Sequence, residues 1–149
     1  MSTIKVSIAN PQEVVDVDRG MMRHVVRTVL SGEGHSSGEI SLAFVDNHMS
    51  RALHQRYLQH DEPTDVLTFP LGESHHQLSG ELVIGAEVAK AQAEERGHDV
   101  QAELALYVIH GLLHLCDYDD KDRAEAQLMR LRERHYLREL DLPDIAEKD

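Results

Sequence analysis

Two histidines sit four residues apart in LALYVIHGLLHLC, residues Leu104–Cys116. The segment is apolar nearly all round, so it reads as a buried helix. At 3.6 residues per turn, His110 and His114 fall on one face of that helix, one turn apart. A helix presents two imidazole nitrogens to one tetrahedral metal ion in this way. The spacing alone is weak evidence. With 11 histidines in 149 residues, chance supplies about one such pair. The apolar setting strengthens the reading, because a buried polar group without a partner costs roughly 1–3 kcal/mol. One shared ion satisfies both imidazoles.

The chain continues DYDDKD directly after Cys116. Asp117, Asp119, Asp120 and Asp122 all qualify by proximity as a third donor, if a turn folds one of them back. Cys116 lies two positions beyond His114, about 200° round the helix. It reads as a small core residue facing away from the metal. A thermolysin-like protease carries glutamate directly after its first histidine, as general base. Gly111 stands there, so a zinc peptidase would lack its base.

The surrounding pattern says what must hold these residues. Ile4–Ala9 alternates apolar and polar residues and reads as a strand, as does Glu39–Asp46. Val14–Leu30 has helical spacing, and Ser31–Gly38 is a loop by its Gly and Ser content. Met49–Gln59 is a short helix that cannot run through Pro63. Thr64–Leu71 is a third strand. Its Pro70 cannot donate to a ladder and belongs at a strand end or an edge. A polar stretch, Gly72–Gly80, leads to the strand Gly80–Ala86, and its His75 and His76 read as solvated. Helices follow at Ala86–Arg96, ended by Gly97, at Asp99 or Val100 to about Cys116, and at Asp122–Leu140. This order predicts a single α/β (α+β) domain over residues 1–149, a mixed four-stranded sheet packed by about five helices.

Composition sets the outer limits. The net charge of −12 argues against broad adhesion to nucleic acid, which needs surplus Lys and Arg. Arg130, Arg132, Arg134, His135 and Arg138 are a local basic cluster, read first as a solvated face paired with Glu133 and Glu139. A single cysteine, no basic leader before an apolar run, and no apolar stretch near 18 residues predict a cytoplasmic protein without membrane contact.

The chemistry-bearing segments also resemble a known family. HGLLHLCDYDD (His110–Asp120) is similar to the signature of the YbeY family of rRNA maturation factors, His-Gly-x-Leu-His-Leu-x-Gly-Tyr-Asp-His. DEPTDVLTFP (Asp61–Pro70) resembles that family's Asp-x-Pro-Thr-Asp-Val-Leu-Ser-Phe-Pro, and GELVIGAEVAKAQAEERGH (Gly80–His98) its following strand and helix. The resemblance implies a metal-dependent single-strand endoribonuclease acting at the 3′ end of small-subunit rRNA. Its partners would be single-stranded rRNA and the small ribosomal subunit, and its cofactor one zinc-like ion per chain. The family's three ligands are histidines. By position the first two fall on His110 and His114, and the third on Asp120. Two His plus one carboxylate is an acceptable zinc set. The added negative charge makes a water on the ion less acidic than three neutral imidazoles would.

Two further departures stand out. Asp117 occupies the family's glycine, and Leu58 stands where the family has an arginine after tyrosine. A cation there would stabilise a phosphoryl transition state, and Leu58 cannot. Arg56 and Arg51 are near in sequence and read as solvated. Besides RNA hydrolysis, the sequence leaves open a ribosome-assembly factor with little nuclease activity and another zinc-dependent hydrolase such as a peptidase. No residue is assigned as general base.

Overall fold

Alternation of Ile4, Val6 and Ile8 with polar neighbours makes β1 (Thr3–Ala9). The remaining elements are α1 (Arg19–Gly32), β2 (Ser37–Val45), α2 (Asn47–Tyr57), β3 (Val66–Ser74), β4 (Gln77–Gly85), α3 (Ala86–Arg96), α4 (Val100–Leu115) and α5 (Arg123–Glu139). This computed structural model describes residues 3–57, 66–74 and 77–146, with residues 54–57 and 72–74 described by backbone only. Leu58, the Asp61–Asp65 segment, the Arg56 side chain, His75 and His76 lie outside the described residues.

The four strands form one mixed sheet in the order β1-β2-β4-β3. β1 and β2 run parallel, as do β2 and β4, while β3 pairs antiparallel with β4. The expected four-stranded sheet and five helices are therefore present. β3 is an edge strand, and its register shifts between Pro70 and Gly72. Pro70 thus sits where a missing N–H disturbs least.

Three sequence boundaries move. Helix α1 begins at Arg19, not Val14, because the Asp18 side chain caps it, accepting from Met21 N at 3.0 Å. Val15 is buried without being helical. The Gln12 side chain holds it in a turn, accepting from Val14 N and Val15 N at 2.8 and 2.9 Å. The Ser31–Gly38 loop is shorter than expected, since Gly32 is still helical and Ser37 already pairs with Thr3. Most of the polar stretch Gly72–Gly80 is strand, paired as far as Ser74 with Gln77. Polar residues at the far end of a half-solvated hairpin imitate a loop.

One sheet face carries Ile40, Leu42, Phe44, Leu78, Leu82 and Ile84 into the main core with α1 and α4. The other carries Val45, Leu67 and Val83, with Met49 and Leu53 of α2 against them. Helix α4 lies at the centre, packed by α1, α3, α5 and the β3–β4 pair. Every residue from Ala102 to Ile109 is buried, as its all-round apolarity predicts. Gly111 packs closely against the sheet. A Cβ there would come within 3.0 Å of Leu82 and 3.1 Å of Val66.

Candidate metal centre

Helix α4 is capped by Asp99, whose carboxylate accepts from Gln101 N at 3.4 Å. At its other end, the chain reverses at Asp117. Tyr118 N donates to Leu113 O at 3.0 Å, and Asp117 N to His114 O at 3.1 Å. This paired closure requires a left-handed residue at its centre, and Asp117 has φ 72°. The turn carries Tyr118 and Asp120 back over the last turns of α4.

The two imidazoles meet there. His110 Nε2 and His114 Nε2 lie 3.1 Å apart. Asp120 Oδ2 stands 3.8 Å from the first and 3.9 Å from the second. His110, His114 and Asp120 are the one group of three potential ligands gathered among the described residues.

The neighbouring aspartates are engaged otherwise. Asp119 accepts from Asp120 N at 2.8 Å and pairs with Lys121 at 3.7 Å. Asp122 caps α5, accepting from Glu125 N at 2.8 Å. Asp117 is exposed at the turn. Cys116 is half-buried and packs against the main core, as its place on the helix predicts.

The far side of each ring fixes what the near side offers. His114 Nδ1 lies 3.1 Å from the Tyr118 carbonyl oxygen. A carbonyl only accepts, so that nitrogen carries the proton. His110 Nδ1 lies 3.1 Å from Glu133 Oε2, and the Glu133 side chain is only 3% exposed. A carboxylate there assigns the proton to Nδ1 again. Both Nε2 atoms therefore present lone pairs to each other and to the Asp120 carboxylate. Three electron-pair donors that converge without a proton between them suit a cation. The 3.1 Å between the two nitrogens is near the ~3.3 Å that zinc–nitrogen bonds of about 2.0–2.1 Å give in a tetrahedron, and the carboxylate stands about half an ångström farther out. The donor set fits a zinc-like ion. Asp120, 43% exposed against 21% and 27% for the histidines, marks the side open to solvent.

Glu133 is the residue that the sequence reading misplaced. It was expected on a solvated face paired with arginines, yet it is buried and orients His110. Its spacing from Met129, Tyr136 and Leu137, all buried on α5, is the periodic signal that places it inward. The basic cluster does not form one patch. Arg132 pairs with Glu33, Arg134 lies 3.6 Å from Asp144, His135 sits edge-on to Tyr136, and Arg138 is exposed. Arg51 is exposed on α2.

Comparison with known proteins finds relatives along most of the chain. A family model described as Endoribonuclease YbeY matches residues 7–141. An Endoribonuclease YbeY from Carboxydothermus hydrogenoformans is 39% identical, over 91% of this chain and 96% of its own length. One from Salinibacter ruber is 36% identical over 88% of each. The solution structure of TM1509 from Thermotoga maritima matches with a TM-score of 0.62 at 21% identity, covering 98% of this chain and all of that one. That last likeness concerns the fold.

Proposed function

We propose, on the premise that this chain belongs to the endoribonuclease YbeY family, that it cleaves single-stranded RNA at a zinc site made by His110, His114 and Asp120. Endoribonuclease activity follows from the family. The substrate we assign is rRNA, at the 3′ end of the small-subunit molecule, with the small subunit as partner and the cytoplasm as location. The observation that carries the site is the convergence of two Nε2 atoms and one carboxylate oxygen on one point.

A divalent ion bound there supplies Lewis acidity, polarising a phosphate oxygen and activating water for attack at phosphorus. The chain's own residues do the rest. Glu133 and the Tyr118 carbonyl hold the two rings in the ligating tautomer, which fixes ligand direction before substrate arrives. Asp120 contributes charge on the open side, where a phosphodiester can approach. A protease chemistry is disfavoured by packing as well as by residue type. At Gly111, a Cβ would press on Leu82 and Val66, so a peptidase's glutamate there would require these side chains to shift.

By the resemblance, Leu58 takes the position of the family's arginine, and on that reading the reaction lacks one fixed cation. Loss of one preorganised donor costs about 10²–10³ in rate in other enzymes. We therefore expect slow cleavage. The test is a single-stranded rRNA fragment incubated with the protein, with and without chelator, alongside Leu58→Arg. Chelator-sensitive cleavage that Leu58→Arg accelerates supports the proposal. Cleavage that survives complete removal of metal overturns the metal mechanism. A fast wild type unaffected by Leu58→Arg shows that another cation serves.

A further inference from the structure

One half-buried carboxylate outside the ligand set gathers two side chains of α5. Glu33 is the residue that ends α1, and its side chain is 9% exposed. Its Oε2 accepts from Arg132 Nη2 at 2.5 Å and from the Tyr136 hydroxyl. Arg132 also donates to the Tyr136 oxygen at 2.9 Å and lies 5.1 Å over the ring. Tyr136 reaches this position by packing on Gly32, where a Cβ would come within 2.7 Å of its Cε1. Tyr118 lines one pocket with the same carboxylate. Glu33 itself is held below the usual carboxylate range, because hydrogen bonds from Tyr136, Arg132 and Tyr118 outweigh its burial.

We infer that Glu33 is a positioning residue for the metal centre, acting on His114 through Tyr118 and on His110 through α5. The first route is short. Glu33 and Tyr118 line one pocket, and the Tyr118 carbonyl holds His114 Nδ1 at 3.1 Å. The second passes through Arg132, which neighbours Glu133 on α5. Glu33 draws Arg132 and Tyr136 toward α1 and so sets where α5 delivers the Glu133 carboxylate to His110. Without Glu33, Tyr118 and α5 lose a common anchor, and both rings lose fixed orientation. The inference rests on the metal reading above, so its test reads metal binding in the folded chain and ring protonation without metal.

Zinc affinity is measured by competition with a chromophoric chelator, and ligand geometry by the visible absorption of the cobalt(II)-substituted protein. Exchange of the His114 Nδ1 proton is followed by NMR in the metal-free chain. Partners beyond the ligands are worth about 10–100-fold in metal affinity. Glu33→Ala should weaken zinc by about tenfold, shift the cobalt spectrum and speed Nδ1 proton exchange. Glu33→Gln keeps an acceptor and should recover most of the loss. If Glu33→Ala does not fold, Tyr118→Phe decides. It removes only the hydroxyl, and should weaken zinc by about threefold with faster exchange at His114. Variants that lose thermal stability alone, with affinity, spectrum and exchange unchanged, overturn the inference. A wild type that takes up neither zinc nor cobalt overturns the metal reading, and this inference with it.

Discussion

Two histidines flank the buried stretch of α4 with nearly the same local chemistry. His98, just ahead of the helix, places Nδ1 2.8 Å from Glu103, whose side chain is fully buried. His110, near its end, places Nδ1 3.1 Å from the equally sheltered Glu133. The rings are about equally exposed, at 24% and 21%. Only one pair belongs to a site. Beside His110 stand His114 and Asp120, while among the described residues no further ligating groups gather at His98. A histidine oriented by a carboxylate is therefore a half-built ligand. Convergence of other donors on its second nitrogen makes the centre.

The sharpest way to break this contrast is to remove the converging donors. His110→Ala and His114→Ala should each lower zinc affinity by more than the ~10–100-fold typical of outer partners, and abolish metal-dependent RNA cleavage. Asp120→Ala should weaken zinc more than Asp119→Ala, Asp117→Ala or Asp122→Ala. Competition titration across the six variants checks the order. If Asp119→Ala is the worst of the aspartates, the third ligand has been assigned one residue too late.

Next in size is Glu133→Gln. An amide can still meet His110 Nδ1, but it no longer favours a proton there as a carboxylate does. Zinc affinity should fall about 10–100-fold with the fold retained. Unchanged affinity would remove Glu133 from the centre and make the two pairs alike.

The other pair should respond in the opposite sense. His98→Ala leaves Glu103 without its donor, and Glu103 Oε2 already has no partner among the described residues. Such a loss costs about 1–3 kcal/mol. Urea unfolding should record it, while zinc affinity stays at the wild-type value. A fall in zinc affinity equal to that of Glu133→Gln would show that both ends of α4 serve the metal.

The sequence revealed these regions unequally, for physical reasons. The His110–His114 pair was legible because helical period and apolar surroundings coincide there. The sheet was legible from alternation, and Pro70 was rightly sent to an edge. The proposed third ligand was not legible from spacing, since a turn has no period. Asp117, Asp119, Asp120 and Asp122 were equivalent until the resemblance singled out Asp120. Glu133 was hidden by the arginines around it, although Met129, Tyr136 and Leu137 mark its face as inward. Glu33 has no local signal, because its partners lie on α5 and in the turn after α4, far along the chain. Val14 and Val15 lengthened α1 on paper, because apolar spacing does not reveal a glutamine folded back on its own turn.

The smallest predicted effect sharpens the contrast between helix ends. Helix α3 closes at Gly97 with φ 71°, and α4 closes at Asp117 with φ 72°. The backbone shape is the same, but the residue differs. Glycine adopts it freely, whereas a residue with a Cβ pays roughly 1–2 kcal/mol, less for Asp and Asn than for most. That cost explains why the family signature has glycine at this position. Asp117→Gly should therefore stabilise the protein by up to about 1 kcal/mol, or roughly 2–4 °C in melting temperature at this chain length. Asp117→Ala should do the reverse, since alanine keeps the Cβ and loses the tolerance of aspartate. Because Asp117 lies outside the proposed ligand set, both variants should leave the cobalt spectrum unchanged. Calorimetry on the two variants decides. If Asp117→Gly melts no higher than the wild type, the aspartate carboxylate stabilises this turn by as much as the strained φ costs it.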